Sequence, residues 1–152
     1  IINEVLANPQ GAEPAQEWVE LYNDGTGASE LGDWTLSDGT GQSVLPAVVL
    51  RPGEYLIVTS EQYVPGGEDV PFAEGVVVVR VSSLGANGLG NSGEALQLIS
   101  ASGQVQSRFV ARAASTGGVS IARVTPAAPD GAEASFARHG EPGASPGAPN
   151  IF

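Results

Sequence analysis

Apolar and polar positions along this chain alternate in short bursts, each closed by residues that favour turns. Trp18-Val19-Glu20-Leu21-Tyr22 is one burst, ended by Asn23-Asp24-Gly25, and Trp34-Thr35-Leu36 is another, ended by Ser37-Asp38-Gly39. A period of two sends successive side chains to opposite faces of a strand. Trp34 and Leu36 therefore share a face, where an aromatic and a neighbouring aliphatic row build a first layer of core. The same reading predicts strands over 1–6, 17–23, 34–38, 44–50, 55–60, 76–82, 95–100, 105–110 and 119–124, with turn residues between most of them. Val48-Val49-Leu50 and Val76-Val77-Val78-Val79 are unbroken apolar runs, which predicts strands covered on both faces or edges lying under loops. Arg80 and Glu74-Gly75 flank the second run like gatekeepers against aggregation. Helical periodicity is absent: 109–115 is interrupted by small residues, ends at Gly117-Gly118, and reads as strand end and loop. The pattern predicts an all-β protein of about nine short strands in two packed sheets.

Length changes this picture little, since 152 residues suit one domain, 1–152, with a proper core. The 21 glycines and 11 prolines are dispersed among the apolar runs, as tight turns require. Three connections are long enough to hold a site: 7–16, 61–75 and 127–149. The Pro/Gly-rich stretch over 139–152 is expected to run extended as a closing segment, ordered because Ile151 and Phe152 gain by returning to the sandwich. Charge is more restrictive. Seventeen carboxylates face six arginines and no lysine, a net −11 that repels polyanions, so direct nucleic-acid binding is disfavoured. Arg80, Arg108 and Arg123 lie in strand-like segments, but ordinary solvated arginines describe them better than a binding stripe. Cysteine and methionine are absent, and no apolar run approaches the ~20 residues of a membrane span. The chain starts directly on a strand without methionine, which leads us to expect a mature exported protein or one domain of a longer one.

Few residues suggest chemistry. Ser92, in Gly90-Asn91-Ser92-Gly93-Glu94, has no acid before it, and the sole histidine, His139, follows it in the Pro/Gly-rich tail as an expected solvated loop residue. That stretch reads as a hairpin turn. Glu17 and Glu20 are an odd number of residues apart, so a regular strand sends them to opposite faces and they cannot share a cleft, while Glu4 could pair with either. We assign no catalytic residue and no cofactor. The one ion the donor set suggests is calcium, with Glu4, Glu17, Glu20, Asn23 and Asn150 as candidate oxygen ligands. No calcium loop motif accompanies them, and solvated acids are the simpler account.

The segment 17–23 followed by Leu31-Gly32-Asp33-Trp34-Thr35-Leu36-Ser37-Asp38 resembles the lamin tail domain. Other pieces continue that resemblance in the family's order: Ile2-Asn3-Glu4-Val5 with Asn8-Pro9, Leu50-Arg51-Pro52-Gly53-Glu54-Tyr55-Leu56, the hairpin from Gly90 to Leu98 with Ser102-Gly103, Gly118-Val119-Ser120-Ile121, and Ser145-Pro146-Gly147-Ala148-Pro149-Asn150. The resemblance implies an immunoglobulin-like β-sandwich but no single activity. It leads us to expect a non-catalytic, exported bacterial module, secreted or at the cell envelope, that docks a protein, an envelope component or a neighbouring domain. The alternative expectation is an accessory targeting module of an extracellular hydrolase such as a nuclease, with catalysis outside this chain. Tyr22, Tyr63 and Phe72 are the candidate anchors for a partner, against simple packing under loops.

Overall fold

Where the alternation is clearest, the strands form as the pattern predicts; where proline or a two-residue pairing intervenes, they do not. The computed structural model describes residues 1–113 and 116–152. Along them run β1 (Ile2–Leu6), β2 (Trp18–Tyr22), β3 (Ser29–Glu30), β4 (Thr35–Ser37), β5 (Gln42–Val44), β6 (Val49–Leu50), β7 (Tyr55–Ser60), β8 (Val77–Val81), β9 (Leu96–Ile99), β10 (Val105–Phe109), β11 (Ile121–Arg123) and β12 (Phe136–Arg138). A single 3-10 turn, Glu133–Ser135, precedes β12. The strand expected over 44–50 is divided: Pro46 has no N–H for a ladder, so the chain leaves the β4 partner after Val44 and re-pairs as β6 against β3. The short strands β3 and β12 carry no alternation and fall outside the predicted set. Of the loop assigned over 109–115, β10 ends at Phe109 as expected, and Ala114 and Ser115 lie outside the described residues.

Three sheets result, in the orders β12-β11-β1-β2-β7-β8, β10-β9-β4-β5 and β3-β6. The main core lies where the inner face of the large sheet, with Val5, Val19, Leu21, Leu56 and Val58, meets Leu36, Leu96, Leu98 and Phe109 of the second sheet. Each fully buried aliphatic side chain of this kind stabilises the fold by about 1.5–3 kcal/mol. Trp34 packs against this core only partly buried, unlike the full core residue expected.

The large sheet is covered on its outer face as well, which explains why β1 and β7 are buried almost throughout. Leu6, Trp18, Ile57 and Ala144 form a second cluster there, with Tyr63, Val70, Phe72 and Val76 packed against it. Two segments supply the cover. One is the connection from β7 to β8, which pair parallel, so the chain must cross a face of the sheet to return. The other is the closing segment around Ala144.

β8 is the free edge of that sheet, and Val77 and Val78 are each 40% exposed. The expectation that 76–79 is shielded is thus corrected: Val79 and Val81 are buried, but the other two valines face solvent. Ile151 and Phe152 are exposed too, so they do not dock the tail as expected.

Candidate functional site

A bulge in β1 creates the most unusual feature of the outer face. Ile2 lies opposite Leu21 and Glu4 opposite Glu20, leaving Asn3 as an extra residue. The shift lets Ile2 and Val5 both enter the core and brings the Glu4 and Glu20 carboxylates level across neighbouring strands. Both are fully buried. Glu4 accepts hydrogen bonds from the Ser120 hydroxyl (2.5 Å), the Ser145 N–H (3.0 Å) and the Ser145 hydroxyl (3.2 Å). Glu20 accepts from Asn3 Nδ2 (2.7 Å) and the Gly147 N–H (2.6 Å). Asn150 completes the cluster, exchanging amide bonds with Asn3 and donating to the Arg123 carbonyl at 2.8 Å. The closing segment is therefore held by polar bonds to buried acids, where its apolar end was expected to hold it.

Burial pushes both carboxyls up: Glu4 rises against the bonds it receives from Ser120 and Ser145, and Glu20, raised further by the Glu4 charge, reaches about 8. His139 belongs to the same cluster, a correction to the solvated residue expected. It is 5% exposed, its Nε2 lies 2.8 Å from the Ser145 hydroxyl and 3.2 Å from the Ile151 N–H that donates to it, and its Nδ1 lies 2.8 Å from the Gly140 carbonyl. Serine, histidine and carboxylate thus touch, yet the carboxylate bonds the serine and not the histidine. All three are buried beneath the chain, so the arrangement lacks both the orientation of a hydrolytic triad and access for a substrate.

The remaining calcium candidates are elsewhere. Glu17 precedes β2 and accepts the Leu89 N–H at 2.7 Å; burial, with the nearby Glu13 and Glu94 charges, raises it to about 7. Asn23 holds a turn, its amide donating to the carbonyls of Gly27 (2.9 Å) and Leu50 (2.8 Å). Only Glu4, Glu20 and Asn150 of the five come together, and their oxygens are taken up by protein donors. Among the described residues no group of three or more acidic or histidine side chains is arranged to hold a metal ion. Glu17 and Glu20 do face apart, as their spacing requires. Ser92 is exposed in its turn, where Gly93 donates to the Gly90 carbonyl at 3.0 Å.

Arg123 is not the solvated arginine expected. It is 1% exposed and donates to the Ile2 carbonyl (3.0 Å), the Ala128 carbonyl (3.0 Å) and Asp130 (2.9 Å), with its guanidinium 4.7 Å from the Phe136 ring centroid. Arg80 instead binds the carbonyls of Glu61 and Tyr63 on the outer face.

The three aromatic anchor candidates are all half-buried. Tyr22 packs on Tyr55 with centroids 4.8 Å apart, Tyr63 stacks on Phe72 at 5.2 Å, and Phe72 meets Trp18 edge-on at 6.2 Å. A fourth aromatic is half-buried like them. Trp34 lines two concavities at once: one of about 200 Å³ that also includes Tyr22, Asp24 and Leu50, and a wider depression of about 610 Å³ with Glu30, Asp33, Val48 and Val49. Asp33 has a φ of 63°, the one positive value among the described non-glycine residues, so the backbone entering Trp34 is held in a sparsely populated conformation. Sequence reasoning places Trp34 in the core because a strand tryptophan next to a leucine reads that way. The dividing proline at 46 is the one available hint that the strand beside it ends early.

Two stacked sheets with a small third, almost all β, make this an immunoglobulin-like sandwich. The family model described as Lamin Tail Domain matches residues 1–113, and the chain belongs to that family. No curated protein and no solved structure matches it.

Proposed function

We propose that this domain is a non-catalytic, exported interaction module whose partner docks against the Trp34 ridge. The observation that supports this most directly is the ridge itself: a half-buried tryptophan between two concavities, at the turn into β4, with Val49 47% exposed beside it. Tryptophans in such positions act as binding anchors because they bury much area at little conformational cost. Glu30, Asp33 and Asp24 surround it, no arginine lines either concavity, and the chain carries net −11, so the complementary partner surface is basic. The family is compatible with this reading, being an immunoglobulin-like module. Export rests on the bacterial family members that the sequence resembles.

Photo-crosslinking in the source cells tests the docking face. A photoreactive residue at Ala47 or Val49 is expected to give one discrete adduct, absent when the group is placed at the exposed Glu141, and lost when Trp34→Ala is added. Adducts equal at all three positions would overturn the docking face. Finding the native protein only inside the cell would overturn export.

A further inference from the structure

On the outer face of the large sheet lies a cavity of about 170 Å³, separate from the Trp34 ridge and independent of the function proposed for it. Its walls are largely apolar: Trp18, Tyr63, Val70 and Phe72. Two polar side chains also line it, Gln16 and Asp69, and their atoms Gln16 Oε1 and Asp69 Oδ2 are buried without any hydrogen-bond partner. Both oxygens lie against Gly66: a methyl carbon built there would press on Gln16 Oε1 and lie 3.2 Å from Asp69 Oδ2. The carboxylate is fixed from its other side, where Asp69 Oδ1 accepts the Gln10 N–H at 2.9 Å.

Both unpartnered atoms are acceptors, and one carries charge, so what the cavity lacks is a cationic donor. Calcium takes six to eight oxygens and magnesium a near-ideal octahedron, whereas the polar side chains here supply two oxygens among hydrocarbon and rings. An ammonium group on an apolar stem suits both features: its N–H groups donate to the two oxygens, and the stem and charge lie against aromatic surface. Nothing among the described residues of this chain plays that part. It has no lysine, and the nearby Arg80 is held outside by the Glu61 and Tyr63 carbonyls, with its guanidinium 5.9 Å from the Tyr63 centroid.

We propose that this cavity is a binding site for a primary alkylammonium group, supplied either by a partner's lysine side chain or by a free small amine. Titration of the whole domain tests it, with Trp34→Phe as background so that Trp18 alone reports by fluorescence. n-Butylammonium is expected to give a saturable change, with n-butanol at least ~10-fold weaker because it lacks the charge. Asp69→Asn is expected to weaken butylammonium by ~10-fold or more, and Gly66→Ala, whose methyl crowds both oxygens, to do the same. A lysine-bearing peptide binding tighter than butylammonium would assign the amine to a partner; the reverse order would assign it to a free amine. No saturable change, an equal response to butanol, or a response to calcium alone would overturn the proposal. A fold-level measurement stands beside these. The amide introduced by Asp69→Asn keeps an acceptor for the Gln10 N–H and offers an N–H of its own to Gln16, so the unliganded variant is expected to melt higher than the parent. A lower midpoint would mean that the Gln16 amide already donates to Asp69, and would equally overturn it.

Discussion

At the scale of single residues, the buried acids set how stability depends on pH. Glutamate ordinarily titrates near 4.5, whereas Glu17 is raised to about 7 and Glu20 to about 8, and Glu4 is raised as well. The native state therefore holds protons that the unfolded chain has already released. The stability these groups contribute is complete below about 4.5 and is lost as pH rises through 7 and 8. Asp38 runs the other way: desolvation is outweighed by hydrogen bonds from Gly41, Ala86 and Thr40, which hold it at about 2, so its contribution is present at pH 5 and lost only in stronger acid. We expect the thermal midpoint to fall by at least ~4 °C between pH 5 and pH 9, equivalent to ~1 kcal/mol or more, and Glu20→Gln to flatten that slope. A midpoint that rises over this range would contradict the assignment. Arg123→Ala leaves the Ile2 and Ala128 carbonyls without their guanidinium donor, while the exposed Asp130 keeps the Ser107 and Arg108 donors, and is expected to cost about 1–3 kcal/mol in denaturant unfolding. None of this is legible in sequence. A lone arginine or histidine has the same local signature buried or solvated, which is why His139 reads as a solvated residue from the chain alone. The side-by-side polar pair Asn3-Glu4 inside an apolar strand is the visible trace of the bulge.

Among elements, legibility follows alternation and fails with pairing direction. β2, β4, β9 and β10 lie within the predicted spans because their side chains declare two faces, and β7 lies within its own although Leu56-Ile57-Val58 is an unbroken buried run. β3 and β12 show no alternation of their own, and β6 merges with the end of β5 in one predicted span because its change of partner leaves no trace in the alternation. The crossing of the 61–76 connection is equally hidden, although it decides that Trp18 faces outward and not into the main core. Removing residues 142–152 strips the cover from Glu4 and Glu20. The truncated domain is expected to melt lower, by at least ~4 °C, and to lose their share of the pH dependence because solvated carboxyls return to ordinary values. Retention of the full pH slope would show that the closing segment does not bury them. At the free edge, β8 offers unpaired backbone beside exposed Val77 and Val78, a template for sheet extension. Val78→Lys is expected to slow aggregation in a concentrated sample with little change in midpoint, measured by light scattering and calorimetry.

For the whole molecule, net charge governs how partners approach. With −11 on the domain and acids around Trp34, association with a basic partner is expected to slow several-fold as salt rises from ~10 to ~150 mM, with dissociation less affected, in stopped-flow measurements. The sandwich and the family are readable from the chain, since turn chemistry and strand order recur throughout it; the Trp34 ridge proposed for docking is not, since exposure is a property of the assembled sheets. The Asn3–Asn150 amide contact has a further consequence, because it brings positions near the two ends of the chain side by side. The polypeptide is topologically close to a ring. A circular permutant that joins Phe152 to Ile1 through a short glycine linker, and opens instead at the exposed Ser102-Gly103 turn, should fold to the same structure. By the same geometry, a host protein could carry this unit as an insertion within a single one of its loops.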